Sequence, residues 1–496
     1  MTNELDIAVR AHTQKAEQKP PYDPPDDQSS EWVLVFDTET TTTPAQSLRV
    51  GGYQIRKGNK LHEQGLFYEP ETLEPAELDV LQAYAAERGL KLRNRWQFVH
   101  DVFYRVAYDW CGTVVGFNLP FDLSRLAIAH TDARKSMGGG FSFVLSANRR
   151  LPRVRIKHLS RRASLIDFPH PMGGQGSARG ERKRGISFEH HKGFFVDVKT
   201  IAAALTSRSF TLAKLCEYLK TQTRKKETDD HGQTLTAEYL GYACDDVQAT
   251  WECFVALRAE YARHGLGQPL HKILSEASIG KAYLQQMGIN PLLKNQPDFP
   301  RDLFGKIMCA YYGGRAEVRL RRTVAQVCYC DFKSMYPTVN TLMNLWRFVV
   351  SDNLRWRDGT AEVREFLKSV TSDALQCRDT WKRLTAIVRV RPDRDLLPVR
   401  AKYDGQVYTI GLNYLSCRKG LWYTLADVVA AKMLTGKTPH IEEAIVFEPG
   451  DPQPGLKPVH LFNQPEFRID PYQDDGFRKM VVLRDGIRHD PERETE

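Results

Sequence analysis

Asp37 and Glu39 close the apolar run WVLVFDTET, and their types and spacing suit them to metal chemistry. Side chains at positions i and i+2 of a strand project from the same face, about 7 Å apart. Two neighbouring carboxylates repel unless protons or cations lie between them, and hard oxygen ligands select Mg²⁺ or Mn²⁺. The pair is therefore suited to a site with two metal ions, although many strands end in acidic residues that bind nothing.

Three further residues favour a metal site. Asp122 follows the stretch VVGFNLPF, at the end of a strand or in the first turn of a helix, and Tyr242 and Asp246 lie four residues apart in YACDDVQAT. Residues at i and i+4 share one face of a helix, so this phenol and this carboxylate would point to the same place. Taken singly, Asp122 is also suited to capping a helix, and the other two to a solvated surface. The joint presence of all five residues favours one site.

The elements that must position these residues alternate along the chain. WVLVFD, GTVVGFN and the two halves of YQIRKGNKLHEQGLFYEP have the composition of strands, and the Gly-Asn centre of the last stretch predicts a hairpin. Residues 235–265 have the spacing of one long helix that ends at Gly265. Strands that alternate with helices predict an α/β domain over residues 31–265. The polar, proline-containing residues 1–30 predict a disordered leader.

Three short motifs in this region resemble those of a known nuclease family. FDTET, NLPFD and YACDD resemble, in the same order, the exonuclease motifs of DEDDy-type 3′–5′ proofreading nucleases. The resemblance implies a ribonuclease H-like exonuclease domain with two divalent ions, Mg²⁺ or Mn²⁺. It implies that Tyr242 orients the attacking water and that a single-stranded 3′ end is contacted by Thr40, Asn118 and Phe121. The implied metal ligands are Asp37, Glu39, Asp122 and Asp246.

A second resemblance covers the rest of the chain. YYGGR resembles the Y-x-G-G element of family B DNA polymerases, and DFKSMYPT resembles their motif A, with Met335 in place of leucine. The implied organisation is a helical connector over residues 266–315 and a partial α+β polymerase palm over residues 316–496. By this resemblance Asp331 is a catalytic metal ligand and Tyr336 excludes ribonucleotides. Template or primer DNA would be contacted by Tyr311, Gly313, Gly314 and Arg315. The plainer interpretation of DFKSMYPT is a strand-to-turn junction.

Two further motifs of that polymerase family are missing from the sequence. Neither K-x-x-x-N-S-x-Y-G, which binds the triphosphate, nor Y-x-D-T-D, which supplies the second metal-binding aspartate, occurs in the chain. Because one aspartate does not hold two ions, we expect polymerisation only with a second polypeptide that supplies both motifs. The chain would then be a subunit of a split enzyme or a truncated gene product. Alternatives are a non-catalytic DNA-binding or assembly subunit of a replication complex and a free-standing RNA exonuclease.

Composition is compatible with a nucleic-acid partner. The chain has 70 Lys and Arg against 61 Asp and Glu, a net charge of +9, and the run RRLPRVRIKHLSRR (149–162) contains seven basic residues and no acid. Such a run is either a solvated face or a contact for phosphates. Nine cysteines without a C-x-x-C pair argue against a zinc ribbon. No apolar run of 18 residues and no signal pattern occurs, so we expect a cytoplasmic, nucleoid-associated protein without membrane contact.

Overall fold

The computed structural model describes residues 6–12, 29–169, 193–224, 234–315, 320, 322–330, 332, 334–403 and 407–488. The chain divides into two compact units. The N-terminal unit is Pro20–Tyr283, and the C-terminal unit combines Leu284–Glu496 with Met1–Lys19. Within the described residues, no helix has the length and hydropathy that a membrane span requires.

The N-terminal unit is an α/β structure. Its strands are β1 (Trp32–Thr40), β2 (Leu48–Lys57), β3 (Lys60–Tyr68), β4 (Lys91–Asn94), β5 (Thr113–Gly116), β6 (Ala129–Asp132), β7 (Phe141–Val144), β8 (Val154–His158), β9 (Ser164–Asp167) and β10 (Phe194–Asp197). Its helices are α1 (Pro75–Glu87), α2 (Arg95–Gln97, continued by a π-helical stretch Phe98–Asp109), α3 (Leu119–Leu126), α4 (Val198–Thr206), α5 (Leu212–Leu219), α6 (Ala237–Ala262) and α7 (Glu276–Gln286), which contains the boundary between the units.

The main sheet has β1 near its centre. The strand order is β10-β5-β1-β2-β3-β4, and β1, β2 and β3 form an antiparallel meander whose second turn, between β2 and β3, contains Gly58, as predicted. Strands β5 and β10 run parallel to β1. The long predicted helix is observed as α6, with Gly265 in a left-handed conformation just beyond it. A ribonuclease H-like fold in the narrower sense stays a prediction.

Alternate residues of β1 enter two different cores. Leu34 and Phe36 pack on one face of the sheet, with the aromatic residues of the π-helical stretch. Val33 and Val35 pack on the other face, where Val247 of α6 joins them. Because side chains alternate along a strand, the side chains of residues 37 and 39 lie on the same face of the sheet as those of Val33 and Val35. The period of the strand therefore directs both acidic residues toward the side covered by α6.

The remaining strands of this unit form a small antiparallel sheet in the order β6-β7-β8-β9. Val154 and Ile156 of β8 are buried in the same core as Leu34 and Phe36. The intervening residues of β8, Arg155 and Lys157, therefore project from the opposite face of this sheet.

The C-terminal unit combines helices with antiparallel strands. Its helices are α8 (Leu292–Asn295), α9 (Arg301–Ala310), α10 (Met335–Leu342), α11 (Trp346–Val349), α12 (Thr360–Ser369), α13 (Arg378–Lys382), α14 (Leu425–Thr435) and α15 (Gly476–Arg488). Its strands are β11 (Leu354–Asp358), β12 (Ala386–Arg391), β13 (Asp393–Tyr403), β14 (Val407–Ser416), β15 (Leu421–Thr424), β16 (His440–Pro449), β17 (Val459–His460) and β18 (Arg468–Ile469). A four-stranded sheet has the order β11-β16-β12-β15, and β13 pairs with β14. A polymerase palm as such stays a prediction.

The boundary between the units lies beyond the predicted residue 265. Residues 266–283 belong to the N-terminal unit, because Ile273 is buried in the same core as Val247 and the ring of His264 lies 2.8 Å from the hydroxyl of Tyr283. The predicted connector over residues 266–315 is therefore divided between the two units.

Residues 6–12 depart from the predicted disordered leader. Ile7 forms an antiparallel bridge with Ala401, and the thiol of Cys309 donates a hydrogen bond to the Arg10 carbonyl at 3.1 Å. The leader prediction is therefore wrong for this short segment, which packs on the C-terminal unit. The rest of the predicted leader, apart from residues 29 and 30, lies outside the described residues.

The strand predicted to end on Asp331 is not observed. Asp331 itself lies outside the described residues, and residues 323–330 have no regular secondary structure. Val324, Val327 and Tyr329 are exposed. A strand requires hydrogen-bonding neighbours, and no strand in the described part of the chain pairs with this segment.

Candidate metal centre

Three of the predicted carboxylates meet at the end of β1. Asp37, Glu39 and Asp246 each offer one oxygen, and these oxygens all lie within 4.8 Å of one another. Asp37 is half-buried, whereas only 8% of Glu39 and 1% of Asp246 is exposed. In the described residues this is the single group of three or more His, Cys, Asp or Glu side chains with ligand atoms so close together. The strand and the helix therefore bring these three residues together, and their role as metal ligands stays a prediction.

Helix α6 brings its acid onto the sheet by close packing over β2. Gly52 is paired with Asp37 in the sheet. A Cβ atom at Gly52 would lie 3.1 Å from the carbonyl oxygen of Ala243 and 3.1 Å from Val247, which is tighter than ordinary contact. Glycine at this position therefore lets α6 lie directly over the strand that flanks the acids, and Asp246 reaches Asp37 as a result.

Tyr239 belongs to the site although the sequence interpretation did not select it. Its hydroxyl donates a hydrogen bond of 2.7 Å to Glu39 Oε2 in a buried setting. Burial, and then the charge of Glu39, raise the pKa of the Tyr239 hydroxyl, which keeps it a donor. Tyr242 is also buried and stacks on Tyr239 with ring centroids 6.1 Å apart. Tyr239 precedes Asp246 by seven residues, which is two turns of a helix and places both side chains on one face. This spacing is the feature of the sequence that could have identified Tyr239.

Asp122 stands outside the group of three but is held beside β1. Its Oδ1 accepts hydrogen bonds from the backbone nitrogen of Thr38 at 3.2 Å and from the Thr38 hydroxyl at 2.7 Å. Asp122 is only 2% exposed, and its Oδ2 is buried without a hydrogen-bond partner. Burial raises the pKa of Asp122 to about 8, the bonds from Thr38 oppose this shift, and the charge of Asp197 adds to it. The residue does not cap α3, because Asn118 occupies the N-cap position.

Asp197 is a second buried acid that the sequence interpretation missed. Its Oδ1 accepts hydrogen bonds from the backbone nitrogens of Asn118 at 2.8 Å and Leu119 at 3.1 Å, while its Oδ2 caps α4 through Thr200. Burial raises the pKa of Asp197. Asp197 therefore fixes the left-handed turn at Asn118, where φ is 65°, and so the start of the helix that carries Asp122.

The residues predicted to contact a nucleic-acid end are half-buried. Thr40 follows an irregularity in the β1–β2 register. Lys199 donates a hydrogen bond of 3.4 Å to the Asn118 side chain. The guanidinium carbon of Arg125 lies 4.7 Å from the centroid of the Phe121 ring. Their roles in binding stay predictions.

The residues predicted for polymerase chemistry are exposed where they are described. In the C-terminal unit, the guanidinium carbon of Arg10 lies 4.2 Å from the centroid of the Tyr311 ring. Gly313 has a φ of 89°, and a Cβ there would meet nothing within 4 Å. Gly314 and Arg315 are exposed, as is Tyr336 near the start of α10. Asp331 lies outside the described residues, so the predicted metal site of this unit stays a prediction.

Comparison with known proteins gives structural similarity that is distant. No protein-family model and no curated protein matches this sequence. Among solved structures, "Phi29 DNA polymerase complexed with single-stranded DNA" is similar with a TM-score of 0.38 and 11% sequence identity, over 91% of this chain and 66% of that chain. This chain therefore spans slightly less than two thirds of that protein's length. At this TM-score and identity, no residue role is transferred from it.

Proposed function

We propose that the N-terminal unit is a metal-dependent 3′–5′ exonuclease of the DEDDy type, with a ribonuclease H-like fold, that acts on single-stranded DNA ends. The observation that carries the proposal is the group formed by Asp37, Glu39 and Asp246, whose oxygens lie within 4.8 Å of one another. Buried carboxylates this close repel strongly without a counter-charge. The chemistry of the group therefore matches divalent-cation binding at the position that two of the three motifs, FDTET and YACDD, mark in the sequence.

The donor set fits Mg²⁺ or Mn²⁺. It consists of carboxylate oxygens only, the ligands these ions prefer. The buried Oδ2 of Asp122, which has no hydrogen-bond partner, is a further oxygen whose burial a cation would compensate. We propose that Asp37, Glu39, Asp122 and Asp246 hold two ions. Bound divalent ions supply Lewis acidity and a template for phosphodiester hydrolysis.

The residues around the acids orient them. Tyr239 fixes the Glu39 carboxylate through its hydrogen bond, and Thr38 fixes Asp122. We propose that Tyr242 orients the attacking water. The terminal nucleotides would be contacted by Thr40, Asn118 and Phe121, whose ring offers a stacking surface for a base.

Tyr239→Phe and Tyr242→Phe separate two roles. The Tyr239 hydroxyl donates a hydrogen bond to Glu39, a proposed metal ligand. We therefore expect Tyr239→Phe to raise the Mn²⁺ concentration that gives half-maximal activity by about 10-fold or more. Saturating Mn²⁺ should restore the activity of this variant. Tyr242→Phe should lower the maximal rate and leave the Mn²⁺ requirement unchanged. Mn²⁺ titrations of nucleotide release check both expectations. Equal Mn²⁺ requirements in Tyr239→Phe and wild type would show that the phenol does not support Glu39.

For the C-terminal unit we propose part of a family B polymerase palm that requires a second polypeptide. In this proposal Asp331 is a metal ligand, Tyr336 excludes ribonucleotides, and DNA is contacted by Tyr311, Gly313, Gly314 and Arg315. The exposed apolar side chains of Val324, Val327 and Tyr329 support it, because a segment of this composition is suited to a strand once a partner supplies hydrogen bonds. The missing fingers and motif C would come from that partner.

One assay tests both halves of the proposal. A primer-template with a 5′-labelled primer is incubated with the purified chain, Mn²⁺ and all four deoxynucleotides. We expect the primer to shorten one nucleotide at a time, faster when it is single-stranded, and never to lengthen. A chelator should stop the shortening. Extension would refute the need for a partner. Absence of both cleavage and Mn²⁺ uptake, with DNA binding retained, would favour a non-catalytic subunit, and preference for a ribonucleotide oligomer would favour an RNA exonuclease.

A further inference from the structure

The small sheet β6–β9 has one buried face and one basic face. Phe143, Val154 and Ile156 of its inner strands are buried in the core of the N-terminal unit. The register pairs Arg155 with Ser142 and with Asp167 across the neighbouring strands. These residues therefore share the opposite face with Lys157, and Arg153, two residues before Arg155, continues the same alternation. One side of β8 thus carries a basic residue at every second position.

Hydrogen bonds hold these side chains along the sheet. Arg153 donates to the Thr131 hydroxyl at 3.0 Å, Lys157 donates to the Ser136 carbonyl at 3.4 Å, and Arg155 donates to the Phe168 carbonyl at 3.2 Å. Each of these contacts uses only part of the donor capacity of the basic group. The N–H groups that remain on Arg153, which is exposed, and on Lys157, which is half-buried, are available to an anion.

The positive charge of this face is largely uncompensated. Asp167 lies 3.7 Å from Arg155, and among the described residues no carboxylate pairs with Arg153 or Lys157. The turn between β8 and β9 adds Arg161 and Arg162, both exposed. We call the surface formed by Arg153, Lys157, Arg161 and Arg162 the basic strip. Arg153 and Lys157 are four positions apart, about 13 Å along an extended strand, and Arg161 and Arg162 follow in the turn, so the strip presents several cations in succession.

We infer that the basic strip binds the phosphate backbone of the single-stranded DNA on which the nuclease acts, an inference that rests on the proposed function. A row of cations matches a polymer with repeating phosphates better than a single small anion. Arginine and lysine contacts to phosphate position a strand without reading its bases. The metal centre takes the terminal phosphodiester, so the upstream strand needs a contact surface of its own.

The test measures DNA binding without metal. Wild type is compared with Arg153→Gln/Lys157→Gln, with Arg161→Gln/Arg162→Gln, and with the control Lys60→Gln/Lys214→Gln, which removes two exposed lysines of the same unit outside the strip. Anisotropy of a long labelled thymidine oligomer in chelator, over a salt series, gives the affinity and its salt dependence. Each lost phosphate contact should reduce the slope of log affinity against log salt by about 0.7. We expect this for both strip variants and not for the control.

The results separate the strip from the nuclease. Loss of slope in the strip variants supports the inference even when the wild-type chain digests nothing, because binding is read without metal. Slopes equal to that of the control in both strip variants overturn it even when digestion is normal. Binding of the wild type to anionic lipid vesicles but not to the oligomer overturns it as well. Thermal unfolding of each variant confirms that it is folded.

Discussion

We expect Asp37→Asn and Asp246→Asn each to reduce Mn²⁺-dependent release of nucleotides from single-stranded DNA by about a thousandfold or more. The two side chains place oxygens within 4.8 Å of each other and of Glu39, and the substitutions keep their shape while removing the charge. A metal ion contributes several kcal/mol to stabilising a phosphoryl transition state, and about 4 kcal/mol corresponds to three powers of ten in rate. Loss of a ligand from the group should therefore leave almost no activity.

Asp245→Asn is the matched control for this prediction. Asp245 is the neighbouring acid on α6, and it is not part of the group of three. We expect its substitution to retain activity within about tenfold of the wild type. Release is followed with a 5′-labelled oligomer, and Mn²⁺ uptake is followed by calorimetry. Undiminished digestion by both ligand variants would refute the nuclease proposal, and an equal loss in Asp245→Asn would assign the effect to the helix instead.

We expect Asp122→Asn to change how the stability of the metal-free protein depends on pH. The pKa of Asp122 is raised from 3.8 to about 8, chiefly by burial. The folded state therefore holds this proton more tightly than the unfolded state, and the free energy of unfolding falls as pH rises from about 4 to about 8. Asparagine has no proton to lose. The stability of the variant relative to wild type should therefore rise across that window by a few kcal/mol and level off above it.

Urea unfolding of both proteins in chelator, from about pH 4 to about pH 8, measures the difference between their free energies of unfolding. Asp197, whose pKa is also raised by burial, is present in both proteins, so the comparison reports the loss of Asp122 together with its charge interaction with Asp197. Addition of Mn²⁺ at pH 8 should stabilise the wild type more than the variant, because the ion stabilises the wild type by mass action and the variant lacks a proposed ligand. Parallel stability curves in chelator would show that Asp122 is ionised in the folded protein. Equal stabilisation by Mn²⁺ would show that it does not bind the ion.

Local pattern predicted the strand and the helix that carry the site. The apolar run before Asp37 predicted a strand, and the spacing around Asp246 predicted a helix. Both predictions were possible because backbone periodicity assigns side chains to faces. The alternation of β1 also directs Asp37 and Glu39 to one side. The contacts of Tyr239 with Glu39, of Thr38 with Asp122 and of Asp197 with Asn118 join residues 200, 84 and 79 positions apart. Their partners depend on how helices cross the sheet, which no local spacing specifies.

Tertiary packing also decided where elements begin, end or fail to form. Residues 266–283 join the N-terminal unit because Ile273 is buried in its core, and residues 6–12 join the C-terminal unit, where Ile7 pairs with Ala401. Val324 and Val327 have strand composition and no paired strand in the described residues. The sequence by itself determined which residue types lie on which face of each element, because the periods of the strand and the helix assign every side chain to a face.

Only the tertiary structure decided which faces meet, because burial and strand pairing require partners that are distant in the sequence.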